Sequence, residues 1–207
     1  YITIMSAGNS ADFGNLSVAT GGEPAGMSSS TRGIYGTGGI AASPGETNII
    51  SFLTIASTGN TSDFGDATVA RFSASGLSST TRGIMAGGGT PTKQNTIDFI
   101  EISTLGNAAD FGDLSRDCTP TGNGTSNRTR AITMGAEISG SSDNILEFIN
   151  IASTGNGTDF GDMLGAVYAS GCAANSTKGI AMAGLSGGQS NVIQYITIAT
   201  TGNATDF

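Results

Sequence analysis

The chain lacks histidine and tryptophan, and only 12% of its 207 residues are charged. Because histidine is the commonest general base and the commonest zinc ligand, its absence removes the usual acid–base and zinc-binding arrangements. Lys and Arg number 8 against 16 acidic residues, so the net charge is −8. This deficit argues against nucleic acid and anionic membrane surfaces as partners, because both need clustered basic residues. No apolar run approaches the length of a membrane span, so no membrane insertion is expected.

Cysteine is also scarce, since Cys118 and Cys172 are the only two. They fall at non-equivalent points of an internal repeat, whereas a disulfide framework usually places its cysteines regularly. We therefore expect two buried or idle thiols, with a disulfide bridge as the less favoured alternative.

One short phrase occurs five times and organises the whole chain. The copies read YITIMSAGNSADFG, FLTIASTGNTSDFG, FIEISTLGNAADFG, FINIASTGNGTDFG and YITIATTGNATDF. Their aspartates are Asp12, Asp63, Asp110, Asp159 and Asp206, so the steps are 51, 47, 49 and 47 residues. A period of this length predicts one supersecondary unit per repeat. Helix formers are scarce and β-branched residues cluster in short runs, so we predict an all-β chain.

The unit around Arg82 shows how one repeat is built. A short apolar strand at 81–86 ends at three glycines, and the strand at 96–102 carries apolar residues on both faces, as a strand covered on both sides does. Gly106 and Asn107 mark a tight turn because both tolerate positive φ, and a closing strand follows at 110–114. With the small residues of 73–80, this gives a four-stranded antiparallel blade of a β-propeller, with about 47–51 residues per blade.

These motifs resemble kelch repeats over essentially the whole chain. A glycine pair closes the second strand at Gly38-Gly39 and Gly87-Gly88, and aromatic residues stand in the third and fourth strands. The fourth-strand tryptophan usual in kelch is phenylalanine here, at Phe13, Phe64, Phe111, Phe160 and Phe207. The resemblance implies a kelch-like β-propeller. The longer phrase from TGN through DFGDL to TRGI is similar to repeats of tail and fibre proteins of bacterial viruses, which implies a virion structural protein.

The repeat also predicts the domain organisation. We expect a single β-propeller repeat domain over 1–207, divided at about 1–14, 15–65, 66–112, 113–161 and 162–207, and belonging to a longer array. Five copies of the third-and-fourth-strand hairpin accompany only four copies of the first pair of strands. We therefore favour at least five blades, with the first hairpin completed by further strands of the array or by another chain.

A cation recurs about 20 residues after each of the first four repeated aspartates. These cations are Arg32, Arg82, Arg130 and Lys178. One acid and one cation per repeat predict a structural ion pair within or between blades, because a packing contact recurs in every repeat whereas a catalytic site does not. The phenylalanines of the DFG motif are predicted to pack between blades.

Metal binding and catalysis have little support in the sequence. Asn60, Asp63 and Asp66 could be read as oxygen ligands for Ca²⁺, but no EF-hand pattern is present, and we favour a turn asparagine and a capping aspartate. Carboxylate pairs for glycosidic cleavage are a distant third alternative. Glycine-rich segments lack the Lys-Ser/Thr of a phosphate loop. We therefore expect no enzyme activity, no catalytic residues, no metal and no cofactor.

The first hypothesis is a structural and interaction protein of a virion tail or fibre, or of another extracellular appendage. Its partners would be other virion or appendage proteins and host-surface glycans, with a homo-oligomer as a further option. The alternative is a carbohydrate-binding module that uses the loops after each second strand, at 41–48, 89–95, 137–144 and 186–191. These loops differ in sequence and lack tryptophan, which disfavours one sugar site per blade.

Overall fold

The computed structural model describes residues 1–5, 7–41 and 45–207. Residues 42–44, which belong to the predicted loop at 41–48, lie outside that range. The described residues contain strands and turns and no helix. The predicted all-β class is therefore confirmed, and no element in the described ranges is a helix that could cross a bilayer.

Four antiparallel sheets of four strands follow one another along the chain. Sheet 1 consists of β1 (Ala25–Ser28), β2 (Arg32–Gly39), β3 (Glu46–Thr54) and β4 (Ser62–Asp66). Sheet 2 consists of β5 (Ser75–Ser78), β6 (Arg82–Ala86), β7 (Gln94–Glu101) and β8 (Ala109–Cys118). Sheet 3 consists of β9 (Gly124–Ser126), β10 (Arg130–Met134), β13 (Ile145–Asn150) and β14 (Thr158–Asp162), with a small hairpin of β11 (Glu137–Ile138) and β12 (Ser141–Ser142) inserted. Sheet 4 consists of β15 (Gly171–Ala174), β16 (Lys178–Met182), β17 (Ile193–Thr197) and β18 (Thr205–Asp206).

Each sheet is built in chain order by antiparallel pairing of neighbouring strands, as the repeat predicts. The first strands of consecutive sheets also lie side by side, since β1 contacts β5, β5 contacts β9, and β9 contacts β15. No comparable contact joins β15 to β1 within the part of the chain that the structure describes. The structure thus establishes four-stranded antiparallel units in a row.

A β-bulge in the last strand pair of sheets 1, 2 and 3 sets the direction of the motif phenylalanine. In sheet 1, Gly65 pairs with Ile50 but the next pair is Asp63 with Ser51, so Phe64 is the extra residue. A bulge bends its strand and redirects side chains. Phe64 is turned into the core, at 2% exposure, while Asp63 lies on the solvent side.

The apolar core is distributed between the sheets. One cluster joins sheets 1 and 2 around Phe64, a second joins sheets 2 and 3 around Phe111, and a third joins sheets 3 and 4 around Phe160. Each sheet is therefore stabilised chiefly by burying its apolar face against the neighbouring sheet, as in other repeat proteins.

Candidate functional site

The repeated phrase forms the contact between one unit and the next. At the junction of sheets 1 and 2, the Gly106 N–H donates to the Phe64 carbonyl (2.9 Å) and the Ala108 N–H donates to the Asp66 carbonyl (2.7 Å). The Asp66 N–H in turn donates to the Asn107 Oδ1 (3.1 Å). The GN turn of one copy is thus hydrogen-bonded to the DFG segment of the preceding copy.

The same three hydrogen bonds recur at every junction between successive copies. The other three sets of partners are Phe13 and Asn15 with 59–61, Phe111 and Asp113 with 155–157, and Phe160 and Asp162 with 202–204. In each set an asparagine side chain accepts a backbone N–H of the preceding copy. The asparagine therefore joins two units, in addition to forming the predicted turn.

The glycine of the DFG motif is required by the closeness of this contact. Gly65, Gly112 and Gly161 have φ values of 146°, 146° and 140°. A Cβ added to Gly112 would lie 2.5 Å from the Gly155 carbonyl oxygen. Glycine accepts such φ values and has no side chain to collide with the next unit.

The cations recurring in the second strands are placed over aromatic rings. The guanidinium carbons of Arg32, Arg82 and Arg130 lie 4.9, 4.7 and 4.5 Å from the ring centroids of Phe52, Phe99 and Phe148, and the Lys178 Nζ lies 4.0 Å from that of Tyr195. Each arginine also donates from Nη1 to a carbonyl of the next unit. The acceptors are Ile102, Ile151 and Ile198. The cation therefore combines a cation–π contact in its own sheet with a hydrogen bond to the following sheet.

The predicted ion pair between the DFG aspartate and these cations is wrong. None of the ion pairs among the described residues joins Asp12, Asp63, Asp110, Asp159 or Asp206 to a recurring cation, and all five aspartates are exposed. Neighbouring side chains of a strand point to opposite faces, so the aspartates next to the core-facing Phe64, Phe111 and Phe160 are directed to solvent. Arg82 pairs instead with Glu101, its register partner in β7, at 2.6 Å.

The motif phenylalanines form edge-to-face pairs with the third-strand aromatic of their own copy. The centroid distances are 5.8–6.1 Å across the five copies, within the range favoured by aromatic pairs. Phe64, Phe111 and Phe160 are buried between sheets, Phe13 is half-buried, and Phe207 is 71% exposed.

A buried polar side chain occupies the position before the third-strand aromatic in each of the four sheets and is hydrogen-bonded to the preceding unit, as an acceptor in sheets 2, 3 and 4 and through a hydroxyl–hydroxyl contact in sheet 1. The residues are Ser51, Asp98, Glu147 and Gln194, all at most 4% exposed. Their partners lie two residues after the DFGD or DFGN segment of the preceding copy: Ser17, Thr68, Ser115 and Leu164. In two of the four junctions this acceptor is a carboxylate, which places a negative charge in the core.

Two arginines compensate the buried carboxylates. The Arg71 Nη1 lies 2.9 Å from the Asp98 Oδ2, with both side chains fully buried. The Arg116 guanidinium pairs with both Asp143 and Glu147. Burying a charge without a partner is costly, so these pairs tie sheet 1 to sheet 2 and sheet 2 to sheet 3. These pairs were not among the sequence-based predictions, although an acidic residue inside an apolar third strand is a recognisable signal.

Both cysteines are free, and Cys118 is buried. Burial raises the pKa of the Cys118 thiol to about 12, with Asp143 and Glu147 adding to the rise and Arg116 and Lys93 opposing it. Burial likewise raises the pKa of Cys172. A buried thiol of high pKa is a poor nucleophile, because the thiolate is the reactive form.

The Cys118 thiol predicts a loss of stability in alkali. Its folded pKa of about 12 exceeds the ordinary value of 9.0, so its contribution is complete below pH 9 and declines as the pH rises from 9 towards 12. Urea-unfolding midpoints measured between pH 7.5 and 10.5 should fall more steeply for the wild type than for Cys118→Ala. Parallel midpoint curves for the two proteins would contradict this assignment.

The four turns between first and second strands surround one cavity of about 490 Å³, here called the turn cavity. It is lined by 28–30, 78–80, 126–129 and 174–176. The first residue of each turn braces it by accepting backbone N–H groups two and three residues ahead. These bracing residues are Ser29, Ser79, Asn127 and Asn175. The next residue of each turn is exposed, and it is serine in two units, threonine in one and arginine in one: Ser30, Thr80, Arg128 and Ser176.

A second cavity, of about 370 Å³, lies at the opposite end of the first strands and is here called the aromatic cavity. Its wall includes Glu23, Phe72, Lys93, Glu137 and Tyr168, together with several threonines. The predicted loop at 89–95 and the start of the loop at 137–144 contribute to this wall. The structure therefore brings parts of two of the four predicted loops together.

The described residues contain no group of three or more Asp, Glu, Cys or His side chains that could hold a metal ion. Asn60, considered above as a Ca²⁺ ligand, and the equivalent Asn107 and Asn156 use their side-chain oxygens to accept N–H groups of the preceding unit. Their oxygens thus have a structural use at every junction.

Fold and junctions together define a repeat protein of four-stranded antiparallel sheets, joined by one recurring set of contacts. No protein-family model matches the chain, and no curated protein matches it.

Proposed function

We propose that the chain is a non-enzymatic structural and interaction protein, a tail or fibre component of a virion or a component of another extracellular appendage. Its partners are other proteins of that particle and the surface of a host cell. The units form a kelch-like β-propeller in which the first strands line the axis. The resemblance of the TGN–DFG–TRGI phrase to phage tail and fibre repeats supports the location.

One observation carries this proposal: the contacts that join the units use repeated residues, whereas the exposed residue at each turn tip is not constant. The GN turn, the DFG glycine and the TRGI arginine are all used in unit-to-unit contacts. The exposed residues at equivalent turn tips around one cavity, by contrast, are serine at Ser30 and Ser176, threonine at Thr80 and arginine at Arg128. A rigid scaffold that presents variable loop positions is typical of binding proteins.

The arrangement of the first copy supports a ring of at least five blades. Phe13 and Asn15 make on sheet 1 the hydrogen bonds that each complete unit makes on the next sheet. Since Gly59 and Asn60 are already used there, sheet 4 cannot occupy the same site on sheet 1. A ring that closes through this junction needs a further blade between sheets 4 and 1.

The test first locates the chain and then uses the purified chain as a competitor for the attachment of particles to host cells. Antibody labelling and peptide-mass mapping of purified particles should find the chain together with capsid or tail proteins. The purified chain, added in excess, should reduce attachment of particles to host cells, and a variant with Ser30, Thr80, Arg128 and Ser176 changed to alanine should compete less well. Recovery only from a cytoplasmic fraction without particle proteins would contradict the proposal.

A second candidate function, carbohydrate binding, is favoured by the aromatic cavity. It combines two aromatic side chains with carboxylates and hydroxyls in one concave surface. Aromatic rings beside a few polar groups are typical of ligand sites.

A further inference from the structure

The aromatic cavity is built from equivalent positions of different units. The segments leading into the four sheets each pair with a residue at the end of their own second strand or three residues beyond it, through Gly22, Phe72, Thr119 and Tyr168. The side chains at this position differ from unit to unit, and two of the four are aromatic. They therefore belong to the displayed residues rather than to the repeated junction.

The two aromatic side chains are half-buried and held by backbone pairing. The Phe72 N–H and carbonyl both bond to Gly89, at 2.8 Å each, and Tyr168 bonds in the same way to Leu185 at 3.1 and 2.9 Å. The Phe72 ring passes close over Gly89, where an added Cβ would lie 3.3 Å from its Cζ. Exposed ring surface on a fixed backbone is suited to packing against an apolar ligand face at small entropic cost.

The polar groups of the cavity are mainly hydrogen-bond acceptors. The Glu23 carboxylate accepts from the Ser73 hydroxyl. The Glu137 carboxylate accepts from the Thr119 hydroxyl (3.1 Å) and the Gly140 N–H (2.6 Å), and it pairs with the Lys93 ammonium. A carboxylate has about four acceptor positions, so both groups keep acceptors for ligand hydroxyls. Two carboxylates and one ammonium leave this wall with one net negative charge.

We infer that the aromatic cavity binds a neutral saccharide, with Tyr168 and Phe72 against a sugar face and Glu23 and Glu137 accepting its hydroxyls. A sugar ring has one apolar C–H face and a rim of hydroxyl donors, which matches this combination of groups. Uronic and sialic acids are disfavoured, because their carboxylate would meet a net negative wall. The turn cavity differs, since its one charged lining residue is the cation Arg128.

Saturation-transfer NMR on the full chain tests this inference. The probes are cellotriose, maltotriose and chitotriose as neutral ligands, and trigalacturonic acid as the acidic ligand. At least one neutral probe should bind and trigalacturonic acid should not. Tyr168→Ala should weaken neutral-sugar binding about tenfold, as expected for loss of an aromatic contact of ~1–1.5 kcal/mol, and Glu23→Gln should weaken it severalfold.

Controls separate binding from folding and from the other cavity. Tyr168→Phe keeps the ring and should retain binding, while Arg128→Ala changes only the turn cavity and should leave the affinity unchanged. Urea midpoints show that each variant is folded. The inference is overturned if the folded wild type binds none of the neutral probes, if Arg128→Ala abolishes binding that Tyr168→Ala leaves intact, or if the acidic probe binds better.

The saccharide site rests on the proposed interaction function, but the two can fail separately. Particle labelling reports where the chain is located, whereas the NMR experiment reports what the cavity binds. A chain found on particles that binds no neutral sugar would retain the interaction function and lose the saccharide site. A chain absent from particles that still binds a neutral sugar would retain the saccharide site and lose the proposed function on the particle.

Discussion

Asp98→Asn is expected to lower the free energy of unfolding by about 3–5 kcal/mol, the usual cost of removing one partner of a buried ion pair. The substitution keeps the shape of the side chain but leaves the Arg71 guanidinium fully buried without a counter-charge. The Arg71 Nε already has no hydrogen-bond partner among the described residues, so the network holds no spare acceptor. Urea unfolding followed by circular dichroism measures the loss.

A matched control is Glu101→Gln, which removes the partner of Arg82 in a half-exposed pair. Solvent screens that pair, so its loss should cost at most about 1 kcal/mol. The double variant Arg71→Met with Asp98→Leu should recover most of the stability lost in Asp98→Asn, because apolar replacement of a buried pair is often nearly neutral. Equal losses for Asp98→Asn and Glu101→Gln would show that the buried ion pair contributes no more to stability than the half-exposed pair.

Gly112→Ala is expected to destabilise the junction of sheets 2 and 3 by roughly 2–6 kcal/mol. Two costs combine here, about 1–3 kcal/mol for a non-glycine residue at this φ and about 1–3 kcal/mol for overpacking. The added Cβ would collide with backbone atoms of Gly155, which are held in place by the Phe111 carbonyl. Chemical denaturation and hydrogen exchange at the Gly155 amide would report the loss.

Gly106→Ala isolates the collision from the backbone term. Gly106 has a similar φ of 152°, but a Cβ there would meet nothing within 4 Å. The Gly106→Ala variant should therefore carry only the conformational free-energy cost of a non-glycine residue at this φ. Its free energy of unfolding should lie well above that of Gly112→Ala. Indistinguishable losses in the two variants would mean that the close approach between units is not what requires glycine at position 112.

Much of the fold could be predicted because the repeat consists of patterns that extend over only a few neighbouring residues. Two-residue alternation, GN turns and glycine pairs act over a few residues, so they indicate strands and hairpins without knowledge of distant contacts. The four-stranded unit around Arg82 was predictable for this reason. The boundaries were less accurate, since β8 extends to Cys118 whereas the sequence predicts a closing strand ending at 114.

The junction partners could not be predicted, because they join residues 27 to 70 positions apart in different units. The regular sequence separation between the DFG aspartate and the following TRGI arginine suggested that the two side chains pair. Offset carries no information on the face of a strand to which a side chain points, and the bulge at Phe64 influences that face. Arg71 and Arg116 pair with buried carboxylates yet occupy no repeated position, so periodicity gave no signal for them.

The all-β class, the period, and the glycine, asparagine and aromatic positions that every unit shares follow from local backbone and packing preferences, so the amino-acid sequence is enough to predict them. How those positions are used depends on the packing of the sheets. That packing places the asparagine across a junction, the arginine over an aromatic ring, and the variable residues around two cavities at opposite ends of the first strands. The physical reason is that side-chain partners depend on the packing of one sheet against the next, which brings together residues that no local pattern connects.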